Sequence, residues 1–114
     1  MIGASENTER YSNKAIRELR KYGHEVIALA VRPGSVDNVI FETELKKFKG
    51  IHTVTLYIGP GRQSDYYEYV VNLKPARVIF NPGTENPEFS EKLKQAGIQV
   101  EVACTLVLLA TGQF

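Results

Sequence analysis

The residues best suited to chemistry lie at positions 3–12, in the sequence GASENTERYS. A turn of small residues here joins an apolar start to a stretch with helical spacing. Free backbone amides and the positive end of a helix dipole at such a junction suit a phosphate or pyrophosphate. Arg10 adds a guanidinium, and Ser5, Asn7 and Ser12 add short polar side chains. The competing interpretation is an ordinary strand-to-helix turn that only caps its helix, because every parallel α/β domain has such turns.

This segment differs from the dinucleotide-binding fingerprint G-x-G-x-x-G, which is followed about twenty residues later by an acid that binds a ribose hydroxyl. Only the first glycine, Gly3, is present, and the second predicted strand ends in Val31-Arg32-Pro33. A cation where the ribose of NAD needs a carboxylate argues against NAD. An adenosine phosphorylated at its 2′ or 3′ position is compatible with Arg32.

Two further positions could carry function, and each has a structural alternative. Asn81-Pro82-Gly83-Thr84 follows a predicted strand and could line a crevice, but Asn, Pro and Gly are also the usual residues of tight turns. Cys104 precedes an apolar tail, where a helix N-terminus could activate its thiol. A small buried hydrophobic residue is the favoured interpretation of this cysteine, and no catalytic residue is predicted.

The histidines and tyrosines support neither a metal site nor a nucleic-acid site. His24 and His52 are far apart in the sequence and have no acidic cluster at ligand spacing, so no metal is predicted. Tyr66, Tyr67 and Tyr69 have helical spacing, which favours packing over base stacking. With 14 basic against 13 acidic residues, no overall field attracts nucleic acid or an anionic membrane.

Two kinds of segment alternate along the chain and must position these residues. Strands are predicted at 26–31, 53–58, 77–80 and 98–102, with Met1-Ile2 as a truncated first strand and a short strand at 39–41. Helices are predicted at 13–22, 63–73 and 87–96, the first capped by Ser12 and ended by Gly23. The alternation implies right-handed crossovers and a parallel sheet.

Length and composition indicate one intracellular α/β domain spanning residues 1–114. A single cysteine excludes a disulfide framework and fits a reducing cytoplasm. The longest apolar run, 106–110, is too short for a membrane span. This tail is apolar enough to suggest a homodimer interface, although it could equally cover the last face of the sheet.

Four segments resemble the small stand-alone CoA-binding proteins of bacteria, which look like the CoA-binding domain of succinyl-CoA synthetase. They are GASENTERYSNKAIREL, TVTLYIGP, KPARVIFNPGTENPEF and ACTLVLLATGQF. The resemblance spans nearly the whole chain, and RVIFNPGTENPEF is specific rather than compositional. It implies a Rossmann-like three-layer α/β sandwich with a mostly parallel five-stranded sheet and helices on both faces. It also implies a CoA site at the carboxyl ends of the strands.

Carried over by position, this resemblance assigns four groups of residues to CoA. The pyrophosphate would be held by Gly3, Ala4, Ser5, Arg10 and Ser12, and the adenosine would be bordered by Val31, Arg32 and Pro33. The next loop would be Ile58, Gly59 and Pro60, and the far side would be closed by Asn81, Pro82, Gly83 and Thr84. The expected function is binding of CoA or an acyl-CoA by a non-catalytic carrier, sensor or detached module. The alternatives are an NADP-linked oxidoreductase and an interaction subunit with a vestigial nucleotide site.

Overall fold

Apolar β-branched runs form the strands of this chain, and runs with apolar residues at helical spacing form its helices. The computed structural model describes residues 1–114. Its helices and strands, in chain order, are α1 (Tyr11–Lys21), β1 (Ser35–Val36), β2 (Val39–Ile40), β3 (Thr53–Leu56), α2 (Tyr67–Leu73), β4 (Arg77–Phe80), α3 (Pro87–Gln95), β5 (Gln99–Val102) and α4 (Thr105–Ala110). Two short 3-10 turns, Pro60–Arg62 and Ser64–Tyr66, precede α2.

The central sheet consists of β3, β4 and β5, which are parallel and lie in that order. Single-residue parallel bridges extend it beyond β3, because Ile2 pairs with Leu56 and with Leu29, and Leu29 pairs with Glu42. The predicted sheet of five parallel strands is therefore formed only in part. Segments 1–2 and 26–31 contribute one bridge residue each, Ile2 and Leu29, in place of strands with successive paired residues.

The strand predicted at 39–41 belongs to an antiparallel hairpin that the sequence pattern did not indicate. β1 pairs with β2, and the two residues between them, Asp37 and Asn38, have φ values of 50° and 67°. Positive φ at both central residues is typical of the tight hairpin turn that matches strand twist. The Asp-Asn pair lacks the glycine that usually marks such a turn.

The helix ends follow local signals in most places. α3 begins after Asn86, whose side chain accepts a hydrogen bond of 3.1 Å from the Phe89 amide, and Gly23 follows the end of α1 with φ +84°. The predicted Ser12 cap is wrong: α1 begins at Tyr11, two residues earlier than predicted, with Arg10 at the cap position. Ser12 lies inside the first turn and is buried.

The predicted helix 63–73 is shorter than expected, because regular α-helix starts only at Tyr67. The chain before it turns twice in 3-10 geometry, at Pro60–Arg62 directly after Gly59 and at Ser64–Tyr66. At the other end, Lys74 adopts a left-handed conformation with φ 51°, directly before Pro75, which stops the helix. None of the helices has the length and apolar character that a membrane span requires.

Helices cover both faces of the sheet. Successive strand residues point to opposite faces. Val54 packs in one cluster with Val70 of α2 and Phe89 of α3, whereas the hydroxyl of Thr55 lies 2.8 Å from the hydroxyl of Thr105 at the start of α4. Thus α2 and α3 lie on one face, and α4 lies on the other with α1, which it contacts.

The apolar tail at 106–110 is helical and is packed within the chain. Leu108 and Leu109 are buried, whereas Val107 is 56% exposed. A second copy of the chain is not needed to cover these leucines, which favours the interpretation that the tail covers the sheet. The homodimer stays a prediction.

Candidate functional site

A cleft of about 580 Å³ lies at the carboxyl ends of the strands. Its walls come from the loop after Ile2, from the segment after Leu29 and from the segment after β3. Parallel segments bring their carboxyl ends to one edge of a sheet, which is where such folds bind ligands. The cleft brings together these residues of the predicted site: Gly3, Ala4, Ser5, Arg10, Val31, Arg32, Pro33 and Ile58.

Gly3, in the first loop, packs closely against the backbone of the segment that follows β3. Its φ is +100°, and a Cβ atom added there would lie 2.8 Å from the carbonyl oxygen of Tyr57 and 2.8 Å from a methyl carbon of Ile58. The amides of Gly3 and Ala4 both donate to the Leu29 carbonyl at 3.0 Å. Only glycine fits at this close approach with a positive φ. The amides of Gly3 and Ala4 are both used in hydrogen bonds within the protein.

The rest of the loop is held in shape by its own short side chains. Ser5 Oγ accepts from the Asn7 amide at 3.1 Å, and Asn7 Oδ1 accepts from the Glu9 amide at 3.0 Å. The side chain of Asn13, one turn into α1, donates to the Ser5 carbonyl at 3.0 Å. The polar side chains that suggested ligand contact therefore also build the loop, and the structure is preorganised before any ligand enters.

The N-terminus of α1, which follows this loop, has unsatisfied donors, and of its first residues Arg10 lines the cleft whereas Tyr11 and the predicted site residue Ser12 do not. The amides of Tyr11 and Ser12 donate to no acceptor within the chain, and Arg10 makes no capping bond through its side chain. The first turn of the helix also contains no acidic residue. Its positive dipole end is therefore not neutralised by the protein itself, as expected beside an anion site.

Three arginines surround the cleft without intramolecular partners. Arg10, Arg32 and Arg62 are exposed and form neither an ion pair nor a side-chain hydrogen bond. Glu6 is the one acidic residue that lines the cleft. With three cations against one anion, the cleft is positive although the whole chain carries a net charge of only +1. This local charge suits a ligand with several phosphates.

Arg62 was missed by the sequence analysis. It lay just beyond the predicted loop at 58–60 and just before the predicted helix at 63–73. The 3-10 turn Pro60–Arg62 brings its side chain back to the cleft. Gly59 and Pro60, which the resemblance assigned to the ligand, are exposed next to this wall but do not line the cleft.

The loop after β4 plays a structural role that the sequence did not reveal. Asn81 is buried, and its Nδ2 donates to Thr55 Oγ1 at 2.7 Å and to the Leu56 carbonyl at 2.8 Å. Its Oδ1 accepts from the Thr105 amide at 2.8 Å. This one side chain thus connects β3, β4 and the start of α4, and both of its donors are used within the protein interior.

Buried Gln63 continues this network from the other side. Its Nε2 donates to the carbonyl oxygens of Ile58 at 3.0 Å and Thr84 at 2.7 Å, and its Oε1 accepts from Asn86 at 3.0 Å. Thr84 is itself buried and donates through its hydroxyl to the Asn81 carbonyl. The network fixes the wall that carries Ile58. The remaining two residues of this loop, Pro82 and Gly83, are exposed outside the cleft lining.

Tyr57 lines the cleft with a phenol that stays protonated. Its hydroxyl oxygen is buried and forms no hydrogen bond, although the hydroxyls of Thr55 and Thr105 are neighbours. Burial is the main cause that raises the pKa of Tyr57 to about 12, and those two hydroxyls oppose the shift. Cys104 lies nearby at the cap position of α4, outside the cleft lining.

A second cavity, of about 440 Å³, lies at the amino ends of the strands. Its lining is mostly apolar and includes Met1, Val26, Phe48 and Ile51. It contains none of the predicted site residues. We assign the candidate site to the cleft at the carboxyl ends, because only that cleft combines unpaired cations with an open helix N-terminus.

Comparison with known proteins shows the family and the fold of the chain. The CoA binding domain family matches residues 1–110. Among solved structures, the crystal structure of an uncharacterized protein is 44% identical, with a TM-score of 0.97, over 99% of this chain and 93% of the other. A Thermus thermophilus protein, cell-free ID.343, is 26% identical, with a TM-score of 0.85, over 99% of this chain and 87% of the other.

A hypothetical protein from Pyrococcus horikoshii OT3 is 27% identical, with a TM-score of 0.82, over 93% of this chain and 76% of the other. No functionally curated protein matches the chain. The family match confirms the resemblance that the four sequence segments carry. From the match over residues 1–110, this chain belongs to the CoA binding domain family.

Proposed function

We propose that the cleft binds coenzyme A or an acyl-CoA as a non-catalytic binding domain. The observation that carries this proposal is the set of three unpaired arginines, Arg10, Arg32 and Arg62, around a cleft at the carboxyl ends of the strands. CoA has a pyrophosphate and a 3′-phosphate. A protein with a net charge near zero must hold these groups through local cations.

Different polar groups of the protein suit different parts of CoA. Arg10 and the free amides of Tyr11 and Ser12 suit the pyrophosphate, because they combine a guanidinium with the positive end of α1. Arg32 follows the second segment of the sheet, where the adenosine of a nucleotide lies in such folds, and suits the 3′-phosphate. Arg62 adds a cation on the wall beyond β3.

The side chains of the cleft support binding rather than catalysis. No histidine, cysteine or lysine lines it. The phenol of Tyr57 is protonated at neutral pH, as an ordinary tyrosine is, and burial raises its pKa further, to about 12. We therefore propose a carrier, a sensor or a module that serves a catalytic partner.

Calorimetric titration with CoA, acetyl-CoA, NADP and NAD tests this proposal. We expect CoA to bind at least tenfold more tightly than NAD, since Arg32 stands where NAD needs a carboxylate. Arg32 is compatible with the 2′-phosphate of NADP as well, so the affinity for CoA relative to NADP separates the binding domain from the oxidoreductase. Similar affinities for CoA and acetyl-CoA would indicate that the thiol end is not recognised. Binding of NADP alone would favour an oxidoreductase, and binding of none of the four would favour an interaction subunit with a vestigial site.

Replacing Cys104 with serine is expected to leave CoA affinity within about threefold of the wild-type value. Cys104 is half-buried, not fully buried as predicted, and lies outside the cleft lining, so we expect its thiol to make no charged contact with the ligand. Titration of the reduced variant with CoA measures the effect. A loss of tenfold or more in a variant with an unchanged melting temperature would place the thiol in contact with the ligand.

A further inference from the structure

Glu6 stands apart from the other residues of the cleft because its charge is opposite to that of the three arginines. It belongs to the first loop, yet its Oε2 accepts a hydrogen bond of 3.0 Å from the amide of Ser35, the first residue of β1. This bond joins two separate segments, residues 3–7 and the hairpin, across one end of the cleft. The side chain is exposed, so the bond is open to competition from solvent and from ligands.

The carboxylate lies against the backbone that follows Arg32. A Cβ atom added to Gly34 would lie 2.6 Å from the carboxyl carbon of Glu6, so the acidic group packs directly on this turn. The Ser35 amide is one residue further along. The negative charge of Glu6 therefore lies on the same side of the cleft as Arg32, next to a backbone donor that an anion could otherwise use.

We propose that Glu6 is a specificity-determining residue that weakens binding of a ligand phosphate on the Arg32 side of the cleft. The inference rests on the proposed CoA function. A phosphate that approaches Arg32 meets a like charge, and it finds the Ser35 amide already occupied by a carboxylate oxygen. Both effects act on the 3′-phosphate of CoA and are smaller for dephospho-CoA, which lacks this group.

The variants Glu6→Gln and Glu9→Gln separate this local effect from overall charge. Both remove one negative charge from the same loop, but Glu9 does not line the cleft. Glutamine retains an acceptor for the Ser35 amide, and Glu6 is exposed, so the fold is preserved. The probes are CoA and dephospho-CoA, titrated by calorimetry at the same ionic strength.

We expect Glu6→Gln to raise the affinity for CoA by about three- to tenfold, the size of one partly screened charge contact. Its effect on dephospho-CoA should be below about twofold, and Glu9→Gln should change neither affinity beyond about twofold. A lower affinity of Glu6→Gln would show that the carboxylate binds the ligand, for example through a ribose hydroxyl, and would overturn the proposal. An unchanged affinity of Glu6→Gln for CoA would also overturn the proposal. So would an equal gain in its affinity for CoA and dephospho-CoA, or an equal gain in CoA affinity for Glu6→Gln and Glu9→Gln. If wild-type protein does not bind CoA, the proposed function itself fails.

Discussion

Replacing Arg10, Arg32 or Arg62 with alanine is expected to weaken CoA binding by roughly ten- to hundredfold for each residue. A charge-assisted hydrogen bond is worth about 1.5–3 kcal/mol, and about 1.4 kcal/mol corresponds to a factor of ten in affinity. None of the three guanidiniums has a partner within the chain, so each substitution removes ligand contacts without breaking an internal one. Calorimetric titration of each folded variant measures the loss.

Arg20→Ala is the matched control for this series. Arg20 is exposed on α1 and does not line the cleft, and its loss should leave affinity within about twofold. Arg17 is less suitable, because its Nε donates to Asn13 Oδ1 at 3.0 Å and Asn13 in turn supports the first loop. Equal losses in Arg20→Ala and in the cleft variants would show that only overall charge matters.

Arg32→Ala carries an additional expectation. If Arg32 contacts the 3′-phosphate, its loss narrows the preference for CoA over dephospho-CoA, whereas Arg10→Ala weakens both ligands alike. Equal affinity of the wild-type protein for CoA and dephospho-CoA would remove Arg32 from this role.

Asn81→Ala is expected to destabilise the protein by about 3–4 kcal/mol, since it leaves several buried groups without partners. The side chain makes hydrogen bonds to Thr55, Leu56 and Thr105, all within the interior. For a chain of this size, the loss corresponds to a decrease in melting temperature of roughly 10–20 °C. Urea unfolding and thermal melting followed by circular dichroism measure it.

The control for this prediction is Asn72→Ala. Asn72 is exposed on α2 and makes no side-chain hydrogen bond, so the free energy of unfolding should change by less than about 0.5 kcal/mol. A loss below about 1 kcal/mol in Asn81→Ala would mean that water takes over the three contacts, and that this network does not fix the loop after β4.

Local signals in the sequence determined much of the fold. β4 occupies the predicted residues 77–80, because a continuous apolar run is typical of a strand buried on both faces. Asn86, Pro87 and Gly97 mark the ends of α3 within one residue of the prediction, since capping and left-handed termination depend on neighbouring residues only. The small-residue turn after Ile2 likewise predicted the loop that leads into α1, and anion binding by this loop stays a prediction.

Tertiary structure decided which polar residues face the cleft. For Asn81 and Arg62, the position in the tertiary structure differs from the position that the sequence suggested. Asn81 looked like a ligand residue because it follows a strand, but the parallel pairing of β3 with β4 and the position of α4 turn its amide into the interior. Arg62 looked like part of a connection, and the turn Pro60–Arg62 brings it to the cleft.

The sheet itself also depended on contacts between distant residues. The segment 26–31 has the composition of a strand, yet a strand exists only where successive residues pair with a neighbour. Leu29 meets Ile2 on one side and Glu42 on the other, and each contact is a single bridge. Residue types determined where elements could begin and end, because those preferences are local. Pairing between residues that are tens of positions apart decided which strands formed regular ladders, because hydrogen bonds between strands exist only in the assembled chain. The same pairing brought the strand ends, and with them the charged side chains, to one edge of the sheet.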